Sequence, residues 1–277
     1  MKVETISFTS DDAAETLMRS LHETGFAILE DHPISSEQVQ SIYDNWGAFF
    51  ASEKKHVYLR DMEKQDGYFP FRSENAKGVD LKDLKEFYHV FPWGRVPPEL
   101  EEETRKLYND LVNLGLTLLK WLDSKLPSNV HDILSEPLDE MMQGSEQSLL
   151  RILHYPPIQH DVESGAIRAA AHEDINLITL LVAGSEPGLQ AQDNEGNWHD
   201  ISCDPGMITI NNGDMLAMAS GNYFPSTPHR VVNPDGEKNN SRYSIPMFLH
   251  PRPEVMLNSV LSAEGYLLNR LKEIGLK

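Results

Sequence analysis

Three residues of metal-binding types stand out in the second half of the chain: His172, Asp174 and His229. His172 and Asp174 are two positions apart and lead into the apolar run 175–182. Because successive side chains of a strand point to opposite faces, these two would share one face of a strand. Two imidazoles and one carboxylate form the facial triad that binds non-haem Fe(II) and leaves positions open for oxygen and substrate. The three residues therefore predict a catalytic iron site.

A second polar pair, Arg242 and Ser244, has the same spacing of two, and Phe248 continues the same face. A guanidinium and a hydroxyl on one strand face can hold a carboxylate, since arginine offers two parallel hydrogen bonds and serine a further donor. The carboxylate need not come from the protein. The pair therefore predicts a carboxylate clamp.

The elements that would position these residues change character along the chain. From Ser148 onward, short runs rich in β-branched and aromatic residues recur about every ten residues, separated by turn sequences. One such turn, 194–197, predicts a hairpin between 189–192 and 198–201. We therefore predict a mixed, mainly β fold, a double-stranded β-helix (jelly roll) with helices packed on its outside.

The remaining segments supply most of the predicted helices. Apolar residues recur at helical spacing in segments 11–24, 35–54, 97–127 and 262–276. Ser35 and Gln38 are placed as a capping box, and the run 26–29 predicts a short strand. Residues 61–98 are rich in aromatic side chains and broken by glycine and proline, which predicts irregular structure and short strands.

Composition and charge limit the classes of function. The net charge is −19 at pH 7, which repels polyanions, and no basic stripe typical of nucleic-acid binding is present. No run approaches the roughly 18 apolar residues of a membrane-spanning helix. The first residues lack the apolar region of a secretory signal, and the single cysteine, Cys203, cannot form an intrachain disulfide. We therefore expect a cytoplasmic protein that binds neither nucleic acid nor membrane.

These residues, with the sequence around them, resemble a known family. Its members carry His-x-Asp, a distant His and then Arg-x-Ser, as this chain does from His172 to Ser244. The likeness covers nearly the whole chain and includes the segments 25–29, 49–55, 150–157, 211–216 and 226–232. On these motifs the chain is similar to the iron- and 2-oxoglutarate-dependent dioxygenases, in the branch that contains isopenicillin N synthase.

The resemblance implies a role for each matching residue. The three metal-binding residues would hold Fe(II), Arg242 and Ser244 would bind the distal carboxylate of 2-oxoglutarate, and Tyr155 would add a phenol donor there. The implied enzyme hydroxylates or desaturates a small metabolite with O2, releases succinate and CO2, and takes ascorbate as an auxiliary reductant. Metal and cosubstrate would carry out the oxidation, while the protein orients and shields them.

Two other functions fit the same residues. An oxidase of the same fold that uses no keto acid, of the isopenicillin N synthase or aminocyclopropane carboxylate oxidase type, would use Arg242 to bind the substrate itself. Arg-x-Ser occurs in those relatives too, so the sequence leaves this alternative open. A third possibility is a non-catalytic metal-binding jelly roll, which would not require both a triad and a carboxylate clamp.

The residues that contact the substrate are the least patterned part of the prediction. In the resembling family the region that corresponds to 61–98 helps to form the mouth of the active site. The predicted contact residues are Tyr68, Phe71, Arg72, Glu86, Tyr88 and Phe248. No motif names the substrate.

The size of the chain, 277 residues, predicts one catalytic domain. Within it we expect a helical amino-terminal part with short strands (1–147), the jelly-roll core with the iron and 2-oxoglutarate site (148–251) and a carboxy-terminal helix (252–277). We expect a monomer or a weak homodimer.

Overall fold

The computed structural model describes residues 1–74, 81–158, 162–201, 204–234 and 239–273. The strands are β1 (Thr5–Ser7), β2 (Phe26–Glu30), β3 (Gly67–Phe69), β4 (Glu86–Val90), β5 (Leu149–Tyr155), β6 (Ala169–His172), β7 (Ile178–Val182), β8 (Leu189–Gln192), β9 (Trp198–Asp200), β10 (Ile208–Asn212), β11 (His229–Val231) and β12 (Arg242–Leu249). The helices are α1 (Ala13–Thr24), α2 (Ser36–Ala51), α3 (Pro98–Lys125), α4 (Ser128–His131), α5 (Leu138–Met142), α6 (Asp214–Ala219) and α7 (Ala263–Glu273). Cys203 and the end of the predicted carboxy-terminal helix lie outside the described residues.

Two sheets form the β core. The larger has the order β1-β2-β10-β7-β12-β5-β4-β3, and the smaller has the order β6-β11-β8-β9. Neighbouring strands pair antiparallel except β1 with β2. The predicted hairpin is present as β8 and β9, with Gln192 opposite Trp198. Strands that are distant in sequence therefore lie side by side, which brings residues from β6, β11 and β12 into one core.

The central strands of the larger sheet are buried on both faces. Every residue of β10 is buried, as are four of the five residues of β7. A strand covered on both sides carries an unbroken apolar run instead of an alternating one. This explains the mainly apolar sequence of Ile178–Val182, in which Thr179 is the one polar residue.

The helices cover this core much as predicted, with differences at their ends. Ser35 caps α2 by accepting a hydrogen bond from the Gln38 amide at 3.1 Å. This helix ends at Ala51, earlier than predicted, because Ser52 is extended and a 3-10 helix follows at Glu53–Tyr58. Among the described residues, no helix is both long and apolar enough to cross a membrane.

The longest helix, α3, joins the amino-terminal part to the core. Its buried stripe includes Leu107, Leu111 and Leu118, which belong to the main hydrophobic cluster of the described residues. In the same cluster Trp46 is fully buried, and its indole donates to Thr104 Oγ1 at 3.0 Å. The predicted amino-terminal part (1–147) and the residues that follow it therefore contribute to the same hydrophobic cluster.

Four short elements were absent from the sequence prediction: β1, α4, α5 and α6. Strand β1 has three residues and pairs with β2 alone. Helix α6 has six residues and begins at Asp214. Elements this short carry too few residues for hydrophobic periodicity to reveal them.

Candidate metal and carboxylate site

The three predicted metal ligands converge at one point of the β core. His172 ends β6, Asp174 follows it by two residues, and His229 begins β11 directly opposite His172. The Nε2 atoms of His172 and His229 lie 3.9 and 3.7 Å from Oδ1 of Asp174. One ligand atom from each residue lies within 4.8 Å of the other two. This spacing lets one ion lie between the three side chains.

Backbone carbonyls orient both imidazoles toward this point. Nδ1 of His172 lies 2.8 Å from the carbonyl oxygen of Ala170, and Nδ1 of His229 lies 3.1 Å from that of Thr227. A carbonyl oxygen only accepts, so each ring holds its proton on Nδ1. The lone pair of each Nε2 is thereby left for a metal ion.

The carboxylate of Asp174 is buried and held by two side-chain donors. Its Oδ2 accepts from Thr179 Oγ1 at 2.5 Å and from Asn211 Nδ2 at 2.8 Å. Burial alone would raise the pKa of Asp174, but the two imidazoles and these two donors outweigh burial and lower it. Asp174 is therefore ionised, with Oδ1 directed at the imidazoles.

The protonation of His172 also suits a metal ligand. Burial, with a further contribution from His229, lowers the pKa of His172 to about 4. The ring is therefore neutral at physiological pH, and a metal-binding imidazole must be neutral.

A close turn fixes the loop that carries Asp174. The Gly213 amide donates to the Leu177 carbonyl at 2.8 Å, and the Asp214 amide donates to the Asp174 carbonyl at 2.7 Å. A Cβ atom on Gly213 would lie 2.2 Å from the Asn176 carbonyl oxygen. Only glycine allows this approach, which holds the backbone of Asp174 against the end of β10.

The predicted carboxylate clamp is buried on β12. Arg242 lies opposite Tyr155 in the pairing of β12 with β5, and Ser244 follows two residues later. Arg242 is 2% exposed, its Nε donates to the Glu186 carbonyl at 2.9 Å, and its guanidinium lies over the Tyr155 ring at 5.2 Å. Its Nη1 is buried without a hydrogen-bond partner among the described residues. A buried guanidinium with a free N–H group is suited to bind a carboxylate.

A cavity of about 920 Å³ opens beside the metal-binding side chains. Its volume falls in the range of small-molecule sites, about 300–1,000 Å³. His172 and Asp174 form part of its wall. Other lining residues are Lys85, His89, Phe91, Trp93, Arg151 and Phe248. The rings of Phe91 and Trp93 are stacked, with centroids 4.7 Å apart.

The polar wall of the cavity is an ion-pair network. Lys85 Nζ lies 2.8 Å from Asp83 Oδ2 and 2.9 Å from Glu74 Oε2. Arg151 Nη1 lies 3.3 Å from the same Glu74 oxygen, and Arg151 Nε donates to His89 Nε2 at 2.8 Å. Burial, followed by the charge of Arg151, lowers the pKa of His89 well below its usual value, so that this ring is neutral. Two cations and two carboxylates leave this network without net charge.

Known proteins match the chain over its length. Residues 146–251 match the model of the 2OG-Fe(II) oxygenase superfamily, and residues 3–111 match that of the non-haem dioxygenase in morphine synthesis N-terminal region. The crystal structure of a candidate oxygenase from Shewanella oneidensis is 48% identical, with a TM-score of 0.90 over 100% of both chains. That of a 2OG-Fe(II) oxygenase family protein from Caulobacter crescentus is 33% identical, with a TM-score of 0.81 over 98% of this chain and 99% of that one. This chain belongs to the 2OG-Fe(II) oxygenase family.

A curated relative of the oxygenase agrees with this assignment. The 2-oxoglutarate-dependent dioxygenase of Didymella fabae is 25% identical over an alignment of 297 positions that covers 96% of this chain and 84% of the relative. The oxygenase therefore uses Fe(II), 2-oxoglutarate and O2, and its core is the predicted double-stranded β-helix with flanking helices. The predicted family, fold, enzyme class and these three cofactors are confirmed. Ascorbate as an auxiliary reductant stays a prediction.

One of the predicted substrate-contact residues, Phe248, lines the cavity. The other predicted residues are absent from the described lining of this cavity; they are Tyr68, Phe71, Arg72, Glu86 and Tyr88. Phe71 and Arg72 line a separate cavity of about 310 Å³. The Tyr68 hydroxyl donates to Glu86, and the Tyr88 hydroxyl donates to the Arg95 carbonyl at 3.0 Å.

Side-chain alternation along β4 explains why Glu86 and Tyr88 are not at the cavity. Lys85 and His89 line the cavity, whereas the Tyr88 ring lies 4.9 Å from Trp46 of α2 on the opposite side of the strand. All residues of β4 are buried, so the sequence has no polar face that would identify the cavity side. Glu86 and Tyr88 therefore lie on the face of the strand opposite to Lys85 and His89, and their contact with the substrate stays a prediction.

Several residues of the site were absent from the sequence prediction. Thr179 and Asn211 hold Asp174, and Lys85 and Arg151 form the polar wall of the cavity. A signal for Arg151 was available, since it is a charged residue between apolar neighbours in strand β5, and charged side chains in such positions usually have a partner. The partners themselves come from distant segments, which the sequence alone does not pair.

Glu86 belongs to a buried network outside the cavity, and its removal is expected to reduce stability. It accepts hydrogen bonds from Lys55 Nζ at 2.9 Å, from His154 Nδ1 at 2.7 Å and from the Tyr68 hydroxyl. Glu86→Gln should lower the free energy of unfolding at pH 7 by about 2–4 kcal/mol, because Lys55 and the other donors lose a charged acceptor. Urea unfolding of both proteins measures the difference.

The pH dependence of this loss gives a second check. Burial alone would raise the pKa of Glu86, but its hydrogen bonds from His154, Tyr68 and Lys55 lower it below 4.5. A carboxyl group whose pKa is lowered in the folded state contributes its full stabilisation at pH values above its pKa in the unfolded state. That contribution to the free energy of unfolding is lost as the pH falls through the pKa of the folded state. The difference between wild type and Glu86→Gln should therefore narrow in acid. Glu99→Gln removes an exposed pair with Lys54 and should change stability little at either pH. An equal loss in both variants would contradict the prediction.

Proposed function

We propose that the iron ligands of the oxygenase are His172, Asp174 and His229, and that its 2-oxoglutarate clamp is Arg242, Ser244 and Tyr155. The observation that carries this proposal is the convergence of two imidazole Nε2 atoms on one oxygen of Asp174, at 3.9 and 3.7 Å. The enzyme would use this centre to hydroxylate or desaturate a small molecule, with release of succinate and CO2.

The chemistry of the donor groups fits the proposed iron. A neutral His172, a second imidazole with its Nδ1 proton held by a carbonyl, and an ionised Asp174 supply two nitrogen ligands and one oxygen ligand. Three protein ligands suit a non-haem iron that must keep open positions. A structural zinc site would normally have four.

The surroundings of Arg242 fit the proposed cosubstrate. Its buried Nη1 has no partner among the described residues, so a carboxylate that enters there would satisfy a polar group that is otherwise desolvated. Ser244, on the same strand face, offers a hydroxyl, and Tyr155, opposite Arg242, offers a phenol.

The protein would contribute position and shielding to the reaction. When bound, iron and 2-oxoglutarate supply the oxidation, in which O2 converts the keto acid to succinate and CO2. The carbonyls of Ala170 and Thr227 would keep both Nε2 atoms directed at the metal, and Thr179 and Asn211 would keep the carboxylate of Asp174 oriented. Arg242 would fix the distal carboxylate, so that the keto group always enters in one orientation. The cavity walls would hold the substrate beside the metal and limit access of water.

We further propose that the substrate is uncharged overall and carries a flat or apolar part. The ion-pair wall of the cavity is balanced, so it offers hydrogen bonds without selecting a net charge. The stacked Phe91 and Trp93 and the ring of Phe248, over which Arg151 lies at 5.4 Å, supply apolar faces. A screen that measures succinate release with neutral ring compounds, matched against their carboxylated analogues, tests this class. Faster turnover of the carboxylated analogues would contradict it.

For the chain as a whole, we propose a single catalytic unit that acts as a monomer or weak homodimer in the cytoplasm and binds no nucleic acid. One hydrophobic cluster that contains residues from Ile6 to Ala263 and the net charge of −19 support this proposal. Light scattering at two protein concentrations would measure the oligomeric state, and a stable higher oligomer would contradict the proposal.

The experiment that tests the proposed site is an anaerobic titration of the Fe(II)-loaded oxygenase with 2-oxoglutarate. Chelation of the iron by a keto acid produces a charge-transfer band in the visible spectrum. We expect the band to appear and to saturate at one keto acid per iron. Iron binding without such a band would overturn the proposed geometry of the cosubstrate.

A further inference from the structure

A second arginine is buried close to the proposed clamp. Arg168 immediately precedes β6 and is 2% exposed. Its backbone amide donates to Asn233 Oδ1 at 3.1 Å, and its Nη2 donates to the Asn240 carbonyl at 2.6 Å. Its Nε is buried without a hydrogen-bond partner among the described residues. One side of this guanidinium is thus anchored, and another polar edge is left unsatisfied.

A short chain of contacts joins Arg168 to Arg242. Asn240, whose carbonyl accepts from Arg168, lies with its side-chain amide 3.3 Å from Glu186 Oε1. The backbone carbonyl of Glu186 in turn accepts from Arg242 Nε. Burial, followed by the positive charge of Arg242, lowers the pKa of Arg168, and Tyr155 acts in the opposite direction. The two guanidinium groups are therefore within electrostatic range of each other and of Tyr155.

An added anion would stabilise this arrangement, because the Glu186 carboxylate raises the pKa of Arg168 by less than burial and the charge of Arg242 lower it. No ion pair to a carboxylate is present for either Arg168 or Arg242 among the described residues. Two buried like charges repel strongly in a low-dielectric environment, and an arginine cannot relieve the repulsion by losing its proton. Each of the two also has a buried N–H group for which the described residues offer no hydrogen-bond partner. A carboxylate has two oxygens and one negative charge, and can satisfy both groups.

We propose that Arg168 is a second guanidinium of the 2-oxoglutarate site and shares the distal carboxylate with Arg242. This inference rests on the proposed clamp at Arg242. The distal carboxylate would lie between the two arginines, one on each side, near the Tyr155 hydroxyl. Arg168 would then determine how strongly the site prefers a keto acid with a distal carboxylate over one that ends in a methyl group.

The competing role for Arg168 is structural. Its hydrogen bond to the Asn240 carbonyl could serve only to tie the segment before β12 to β6. A purely structural arginine would affect the folding of the site and the binding of every keto acid alike. An arginine that contacts the distal carboxylate would affect only keto acids that possess this group.

The test uses two keto acids that differ only at this end: 2-oxoglutarate, and 2-oxopentanoate, in which a methyl group replaces the distal carboxylate. Their dissociation constants are measured by anaerobic titration of the Fe(II)-loaded wild type, Arg168→Gln, Arg168→Lys and Arg242→Met. Thermal unfolding without any keto acid is recorded for each protein.

We expect Arg168→Gln to weaken 2-oxoglutarate binding by about tenfold to a hundredfold, the usual effect of losing a charge-assisted hydrogen bond. Binding of 2-oxopentanoate should change by less than about threefold. Arg168→Lys, which keeps the charge but loses the planar donor edge, should give a smaller loss in the same direction. The unfolding midpoint without keto acid should stay the same or rise, since the variant removes an unpaired buried charge.

Two results would overturn the inference. One is an equal weakening of both keto acids, which a structural role predicts; the other is unchanged 2-oxoglutarate affinity in Arg168→Gln. If Arg168→Gln does not fold, the ratio of the two dissociation constants in Arg168→Lys decides the question, and an unchanged ratio counts against it. If Arg242→Met also binds 2-oxoglutarate with wild-type affinity, the proposed clamp at Arg242 is wrong. If Arg168→Gln binds it with wild-type affinity and Arg242→Met does not, the clamp at Arg242 stands and the role proposed for Arg168 is wrong.

Discussion

Replacing His172 with alanine is expected to abolish stoichiometric Fe(II) binding and with it the oxygenase reaction. The proposed centre has only three protein ligands, and no other His, Cys, Asp or Glu among the described residues completes a group at this point. Loss of a single outer hydrogen-bond partner already weakens metal affinity by about tenfold to a hundredfold, so loss of a ligand should weaken it further. Iron per protein after gel filtration measures the effect directly, independently of substrate.

His250→Ala is the matched control for this variant. His250 lies in the wall of the same cavity, its Nδ1 lies 3.2 Å from the Phe248 carbonyl, and burial lowers its pKa to about 4, as for His172. It is therefore a second neutral imidazole in the wall of the cavity, but it is not part of the converging group. We expect iron to stay stoichiometric in His250→Ala. Stoichiometric iron in His172→Ala as well would refute the assignment of the ligands.

The proposed centre could be predicted because its spacing is local. His172 and Asp174 are two residues apart and share a direction relative to the backbone, and Arg242 and Ser244 repeat the pattern on β12. The fold followed from short apolar runs between turn sequences, which continue through the second half of the chain. His229 had to be found by residue type and resemblance, since its pairing with His172 across β6 and β11 spans more than fifty residues.

The cavity was less predictable, for a physical reason that β4 illustrates. Strands buried on one face reveal that face by alternation, but β4 is buried on both. One face packs on the aromatic side chains of α2, and the other contributes Lys85 and His89 to the cavity. A shift of one residue along the strand exchanges these two faces, and no local property of the sequence distinguishes the face at the cavity from the face on α2. Glu86 was predicted from its place in the region 61–98, and the structure pairs its carboxylate with Lys55 and His154.

The network around Asp174 shows a second kind of information that local patterns lack. Thr179 and Asn211 are ordinary strand residues by type. Thr179 reaches Asp174 from five residues further along the chain, whereas Asn211 reaches it only because β10 lies beside β7 in the larger sheet. The same holds for Arg168 and Arg242, which are separated by more than seventy residues and linked through Asn240 and Glu186. Residues that orient a metal-binding side chain from a distant strand, or that share a bound carboxylate, can therefore be identified only from the assembled sheets.

Replacing Arg242 with methionine is expected to raise the dissociation constant of 2-oxoglutarate at least about a hundredfold. Methionine fills a similar space but cannot donate hydrogen bonds to the distal carboxylate or balance its charge, so the buried carboxylate would lose its principal charged partner. The same change removes a 2% exposed cation whose Nη1 has no partner among the described residues. In the absence of keto acid the variant should therefore unfold at the same temperature as wild type or a higher one.

The raised dissociation constant and the unchanged or raised unfolding temperature of Arg242→Met separate an effect on binding from an effect on stability. Arg230→Met is the control, because Arg230 lies on β11, stacks over Trp198 at 4.0 Å and donates to Gln190 at 2.9 Å. It should leave the affinity for 2-oxoglutarate unchanged and reduce stability slightly, since its contacts are already made without a ligand. A destabilised Arg242→Met that still binds 2-oxoglutarate tightly would mean that Arg242 supports the fold and that another cation holds the cosubstrate. A stable variant that loses the keto acid would mean that the buried charge of Arg242 is kept for its ligand, at some cost to the ligand-free protein.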